Sequence, residues 1–143
     1  MADFGVYFQI TNALGSPLGF AGFESAEGDC CTYDGPGSIP NDSQPHQVHL
    51  NDPCFSRGAE GVVFFVASVQ GQLRQYTWYG DCPVGSPDNH ASGPGILSWN
   101  KTGHPLTVTI SVNPGTPGWT QWPPAQLTHL KDMKAAAVGK KPV

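Results

Sequence analysis

Gly61-Val-Val-Phe-Phe-Val-Ala-Ser68, followed by Val69-Gln-Gly-Gln72 and Leu73-Arg-Gln-Tyr-Thr-Trp-Tyr79, is the stretch that decides the fold. The first run is apolar and rich in β-branched and aromatic residues, so it reads as a central strand buried on both sides or nearly so. The middle residues form a tight turn with Gly71 at a left-handed position. The third run alternates, and the two runs are expected to pair as a hairpin.

Outward from that hairpin the texture stays β. Residues 5–12 alternate as a first strand, and residues 18–23 follow the turn residues Asn-Ala-Leu-Gly-Ser-Pro as a second run, a hairpin-like opening. Residues 25–52 are rich in turn formers, with a short strand at 47–50. Residues 80–95 read as a long loop with little regular structure, a kind of segment that often carries function. Residues 96–99 and 106–112 complete the strands, joined by a turn at 100–103. Short strands at this spacing predict an all-β, mostly antiparallel sandwich with long loops.

Composition agrees. The 143 residues fit one domain, and 18 Gly with 14 Pro exclude long helices. The sandwich is expected over residues 1–113 and a Pro/Gly/Trp linker, extended in character, over 114–124. Residues 125–143 form a basic C-terminal tail in which Leu127, Leu130, Met133 and Val138 lie at near-helical spacing, the one candidate short helix. Its readings are a terminal helix docked on the sandwich, a frayed tail, or a membrane or partner helix.

Charge narrows the partners. Through residue 124, Arg57, Arg74 and Lys101 stand against ten acids, a balance of −7; the tail carries four lysines against Asp132, a balance of +3. An acidic body argues against nucleic acid, whose affinity comes from clustered Lys and Arg. It argues equally against simple adhesion to anionic lipid. The first residues have neither a basic region nor a long apolar stretch, so no signal peptide is expected, and a cytoplasmic or leaderless-secreted protein follows as the expectation. No stretch reaches the length of a spanning helix.

Cys30, Cys31, Cys54 and Cys82 allow three disulfide pairings or four thiols. Without a Cys-x-x-Cys or Cys-x-x-His pair, zinc is not expected. His46 and His49 splay to opposite faces of a strand, a poor metal pair. Phosphate-binding glycine loops, Gly-x-Ser-x-Gly and His-Glu-x-x-His are all missing from the sequence. No enzymatic activity, cofactor or metal is expected; a hydrolase or metal enzyme would have to use His46, His49, His90 and Asp88.

The informative cluster is Tyr76, Trp78 and Tyr79 running into Gly80-Asp81-Cys82-Pro83, with Trp99 on the following strand. Strand geometry puts Tyr76 and Trp78 on one face and Tyr79 on the other. Aromatics with polar tips suit membrane interfaces and hold quaternary ammonium groups by cation–π attraction. The competing reading is core packing, which fits Trp78 and Trp99 best and leaves Tyr76 and Tyr79 for exposure.

Arg57-Gly-Ala-Glu-Gly-Val-Val-Phe-Phe, followed by Arg74-Gln-Tyr-Thr-Trp-Tyr-Gly-Asp-Cys-Pro-Val-Gly-Ser-Pro-Asp-Asn89, resembles the aegerolysins and related small crystal-protein-like, actinoporin-like β-sandwiches. Gly35-Pro-Gly-Ser-Ile-Pro40 agrees, and the resemblance spans residues 5–112. It implies a lipid-binding protein that recognises a sphingolipid-type headgroup, a cytolytic or insecticidal component that acts with a larger perforin-like pore-forming partner. The implied lipid-binding region comprises Tyr76, Trp78, Tyr79 and Asp81, supported by Glu60 and Gly61, with Trp99 nearby. A lectin-like carbohydrate- or protein-binding module on the same sandwich is the alternative. The Cys30-Cys31 pair and the Trp119/Trp122 segment depart from the family pattern.

Overall fold

A computed structural model of the chain describes residues 2–26, 28–54 and 57–123, so the tail and its candidate helix lie outside the described residues. The fold is an all-β sandwich of two sheets, with strands numbered in chain order. The first sheet runs β3 (Thr32–Asp34), β5 (Pro45–Asn51), β1 (Val6–Asn12), β10 (Leu106–Val112), β9 (Ile96–Trp99). The second runs β11 (Thr120–Gln121), β7 (Gln72–Asp81), β6 (Glu60–Val69), β2 (Leu18–Ser25), β4 (Ser38–Ile39), with β8 (His90–Ser92) also on β7. Among these described strands every pairing is antiparallel except β1 with β10, which is parallel.

The deciding hairpin forms as read. β6 and β7 pair in unbroken register from Glu60↔Asp81 to Val69↔Gln72. Their turn places Gln70 and Gly71 at φ 51° and 78°, the two left-handed residues a two-residue hairpin loop needs. Inward residues Val63, Phe65, Ala67, Tyr76 and Trp78 meet Val6, Phe8, Ile10, Val108 and Ile110 from the facing sheet in one fully buried cluster. Gly80 leaves room for that facing sheet, since a Cβ there would sit 2.5 Å from Val6 Cγ1.

The hairpin-like opening is overturned: β1 and β2 lie in different sheets. Asn12 holds the crossing. Its amide donates to the carbonyls of Ser16 (2.9 Å) and Ile39 (3.1 Å), and its oxygen accepts from the Leu14 N–H (2.9 Å). Turn residues redirect a chain between sheets as readily as within one. Residues 80–95 also contain more structure than expected, because β8 pairs there with Tyr79, Gly80 and Asp81. Within the stretch read as a linker, β11 pairs with Arg74 and Gln75, and Trp119 lies 4.1 Å from the Arg74 guanidinium.

Cys30 and Cys54 form a disulfide, tying the 3-10 turn Gly28–Cys30 to the segment that leads into β6. Cys31 and Cys82 are buried thiols. Burial pushes the Cys82 thiol up to about 11, so it stays protonated, without the thiolate a nucleophile requires.

Candidate functional site

The structure separates the residues expected to form one lipid site. Tyr76 and Trp78 point into the core, fully buried and stacked with centroids 6.1 Å apart. The Trp78 indole N–H donates to the Pro94 carbonyl at 2.7 Å, and the Tyr76 hydroxyl accepts from Arg74 at 3.3 Å. Tyr79 faces the opposite side of the sheet yet is also 0% exposed, so the expectation that Tyr76 and Tyr79 reach solvent is overturned. The reason is that β7 has two buried faces, with Val62 beside Tyr79 also fully buried.

Glu60, itself buried, accepts a 2.6 Å hydrogen bond from the Tyr79 hydroxyl. Burial first, and then that bond, raises the Tyr79 hydroxyl far above its ordinary value. The pair therefore ties neighbouring strands together as a neutral phenol on a carboxyl. Asp81 lies opposite Glu60 in the β6–β7 register and is half-buried. Trp99 is elsewhere, half-buried on edge strand β9 opposite Val108 and packed against the core cluster as the core reading expected, with the Lys101 ammonium 3.1 Å above its ring.

A cleft opens beside β7. β11 occupies that strand's free edge at Arg74 and Gln75, and β8 occupies the same edge at Tyr79 to Asp81. The gap between them holds about 440 Å³, with Thr77 on its floor, Gly93 to Ile96 on one wall, and Pro117, Gly118 and Thr120 on the other. That volume is in the range of small-ligand sites. Among its described lining residues none is charged; two threonines and backbone groups supply their polarity. Gly93 is required here, since at φ 142° a Cβ would stand 2.4 Å from Trp78 Cδ1.

Leu97, next to wall residue Ile96, is 68% exposed. Strand alternation alone would turn either Ile96 or Leu97 inward. A register shift between Thr109 and Ile110 seats Ile96 opposite Ile110 and leaves Leu97 outside. Leu97, Lys101 and the cleft walls were missed by sequence reasoning. The consecutive Ile-Leu pair in a short strand was their one available signal.

The histidines do not converge. His46 lies 2.9 Å from Asp42, whereas His49 approaches Asp34 at 3.5 Å and stacks on Tyr7 at 4.1 Å. Backbone N–H donation from Gln44, then the His46 contact, holds the Asp42 carboxyl below its ordinary value. Among the described residues no three His, Cys, Asp or Glu side chains are placed to hold a metal ion.

Fold and opening together define a small all-β sandwich with a cleft at the edge of β7 whose described lining residues are uncharged. No protein-family model and no curated protein matches the chain.

Proposed function

We propose that this chain is a membrane-lipid-binding sandwich that recognises a neutral or zwitterionic, sphingolipid-type headgroup at the β9 edge and its adjoining cleft. The observation that carries the reading is the composition of that edge: Leu97 is 68% exposed, Trp99 is half-buried against the core beneath Lys101, and the cleft at neighbouring Ile96 has no charged side chain among its described lining residues. An apolar side chain, an indole and a long basic side chain together suit the boundary between headgroups and acyl chains. The acidic body disfavours anionic surfaces, so headgroup chemistry rather than net charge must supply selectivity. The resemblance to the aegerolysins supports the same reading, and adds cytolytic or insecticidal action with a larger perforin-like partner. This role needs no catalytic step and no cofactor.

Sedimentation with vesicles tests it. Retention is expected on phosphatidylcholine vesicles containing sphingomyelin or ceramide phosphoethanolamine, and not on phosphatidylcholine with phosphatidylserine. Failure to sediment with any sphingolipid composition overturns the proposal. A second reading, a lectin-like module, draws on the outer face of the first sheet. There Gln9 donates to Gln47 at 2.9 Å, Thr107 and Thr109 follow on β10, and Tyr7 stacks on His49. Amides, hydroxyls and an aromatic ring suit sugar recognition. Glycan-array binding without vesicle retention would select it.

A further inference from the structure

Edge pairing along β7 is interrupted at a single ladder position. The two-residue loop at Gln70 and Gly71 makes Val69↔Gln72 a hydrogen-bonded pair. In the unbroken register that follows, the even-numbered residues of β7 bond to β6, and the odd-numbered ones turn their N–H and C=O to the other edge. The Trp122 N–H, which donates to the Leu73 carbonyl at 3.0 Å, agrees with that alternation. On the same edge β11 stands opposite Gln75 and β8 opposite Tyr79. Thr77 falls between them. The β8 register, continued past Ser92, puts Pro94 opposite Thr77. Proline has no N–H to give, and the Pro94 carbonyl already accepts from the Trp78 indole at 2.7 Å. Among the described residues no backbone group on this edge bonds to the Thr77 N–H or C=O.

Thr77 is also the floor of the cleft. Its hydroxyl accepts from Gln75 Nε2 at 3.0 Å, which leaves the hydroxyl hydrogen to donate. Gln75 is 1% exposed, and its Oε1 is buried with no hydrogen-bond partner. Unmade hydrogen bonds concentrated at one spot are costly in a folded protein, and here they meet a cleft walled by Pro94, Ile96 and Pro117. The free stretch is too short for an extended peptide to add along it, because β8 and β11 close the edge on either side.

We infer that the cleft binds a vicinal amido alcohol, two adjacent carbons of which one carries an acylated N–H and the other a hydroxyl. The N–C–C–O path of that group repeats the backbone path of the strand residue missing opposite Thr77. Its N–H donates to the Thr77 carbonyl, its hydroxyl oxygen accepts from the Thr77 N–H, and its acyl carbonyl accepts from the Thr77 hydroxyl. The proline and isoleucine walls flank the acyl group. Sphingoid lipids and N-acetylated amino sugars both carry this chemistry, whereas glycerophospholipids lack it. The inference deepens the lipid reading and rests on it for the first of these two sources.

The test compares retention of the full chain on phosphatidylcholine vesicles containing sphingomyelin with retention on vesicles containing a sphingomyelin that lacks the hydroxyl beside its amide-bearing carbon. Retention on the deoxy lipid should be about tenfold weaker, the loss expected when a buried donor is left unpaired. Thr77→Val should weaken retention on sphingomyelin severalfold. Equal retention on the two lipids overturns the inference and leaves the lipid reading standing, and so does undiminished retention of Thr77→Val. The sugar source is probed by titrating the isotope-labelled native protein with N-acetylglucosamine and, separately, glucose. Movement of the Thr77 amide resonance with N-acetylglucosamine and not with glucose, in a protein that no vesicle retains, supports the inference with a sugar as its source and ends the lipid reading. An equal response to glucose overturns it. A Thr77 amide that stays still in a protein that no vesicle retains overturns both.

Discussion

The two outer faces of this sandwich are built from opposite materials. On the first sheet, Tyr7, Gln9 and Thr11 of β1 stand beside Thr107, Thr109 and Ser111 of β10 in register, a polar row that a solvated sheet face normally carries. On the second, Val62, Phe64 and Val66 of β6 stand beside Tyr79, Thr77 and Gln75 of β7, and the row is largely withdrawn from water. Both sheets cover the same core with their inner faces, so the difference belongs to what lies outside them. The first face has the polar composition of a solvated sheet, and the second is largely apolar and buried. Neither is the lipid platform that an exposed aromatic strand would have offered. The proposed lipid site is instead the edge that carries Leu97, Trp99 and Lys101, next to the cleft that Ile96 lines.

Substitutions can break this contrast. The largest effect is expected inside both faces: Trp78→Ala removes a fully buried indole and its 2.7 Å bond to Pro94, and should cost about 3–5 kcal/mol in urea unfolding. A cost under about 1 kcal/mol would mean that the site collapses around the gap or that the core is misassigned. Next comes the direct comparison of the outer faces. Val62→Ala should cost about 1–3 kcal/mol, as for a buried apolar residue, whereas Thr109→Val should stay within about 0.5 kcal/mol, as for an ordinary surface position. Equal costs at the two positions would erase the distinction.

A smaller effect should appear with pH. Burial first and the Asp3 contact next push the Tyr7 hydroxyl up to about 12, burial and Asp34 push Tyr33 up to about 12, and Tyr79 is raised further. The unfolded chain releases these protons near pH 10, so above that value the native state holds more protons than the unfolded one. The stabilisation from these raised groups is complete below about pH 10 and is lost as pH rises toward about 12. The urea midpoint should fall over that window, and Tyr79→Phe should lessen the fall. A midpoint constant between about pH 9 and 11 would contradict the assignment.

Much of the fold was legible because alternation and turn chemistry are local. The β6–β7 hairpin, the strand at β10 and the opposite facing of Trp78 and Tyr79 all follow from a period of two. What was not legible depends on distant pairings. Whether Tyr79 meets water is decided by what covers its face, and no pattern within residues 76–79 carries that information. The loop after β1 has the composition of a hairpin turn, and only the pairing of β1 with β5 and β10, and of β2 with β6, reveals that it changes sheet. The Cys30–Cys54 pairing required the loops to be placed first. The edge cleft required both β8 and β11 to dock on one side of β7.

Vesicle binding by paired variants tests the central claim, that the β9 edge and not the aromatic strand meets the ligand. Leu97→Asp/Trp99→Ala and Tyr79→Phe should be compared on sphingomyelin-containing vesicles, with melting curves confirming that both are folded. The edge variant should lose at least about tenfold in partitioning, equivalent to about 1.4 kcal/mol, while Tyr79→Phe binds as the native chain does. Full binding by the edge variant together with loss in Tyr79→Phe would contradict the account and return the site to the strand.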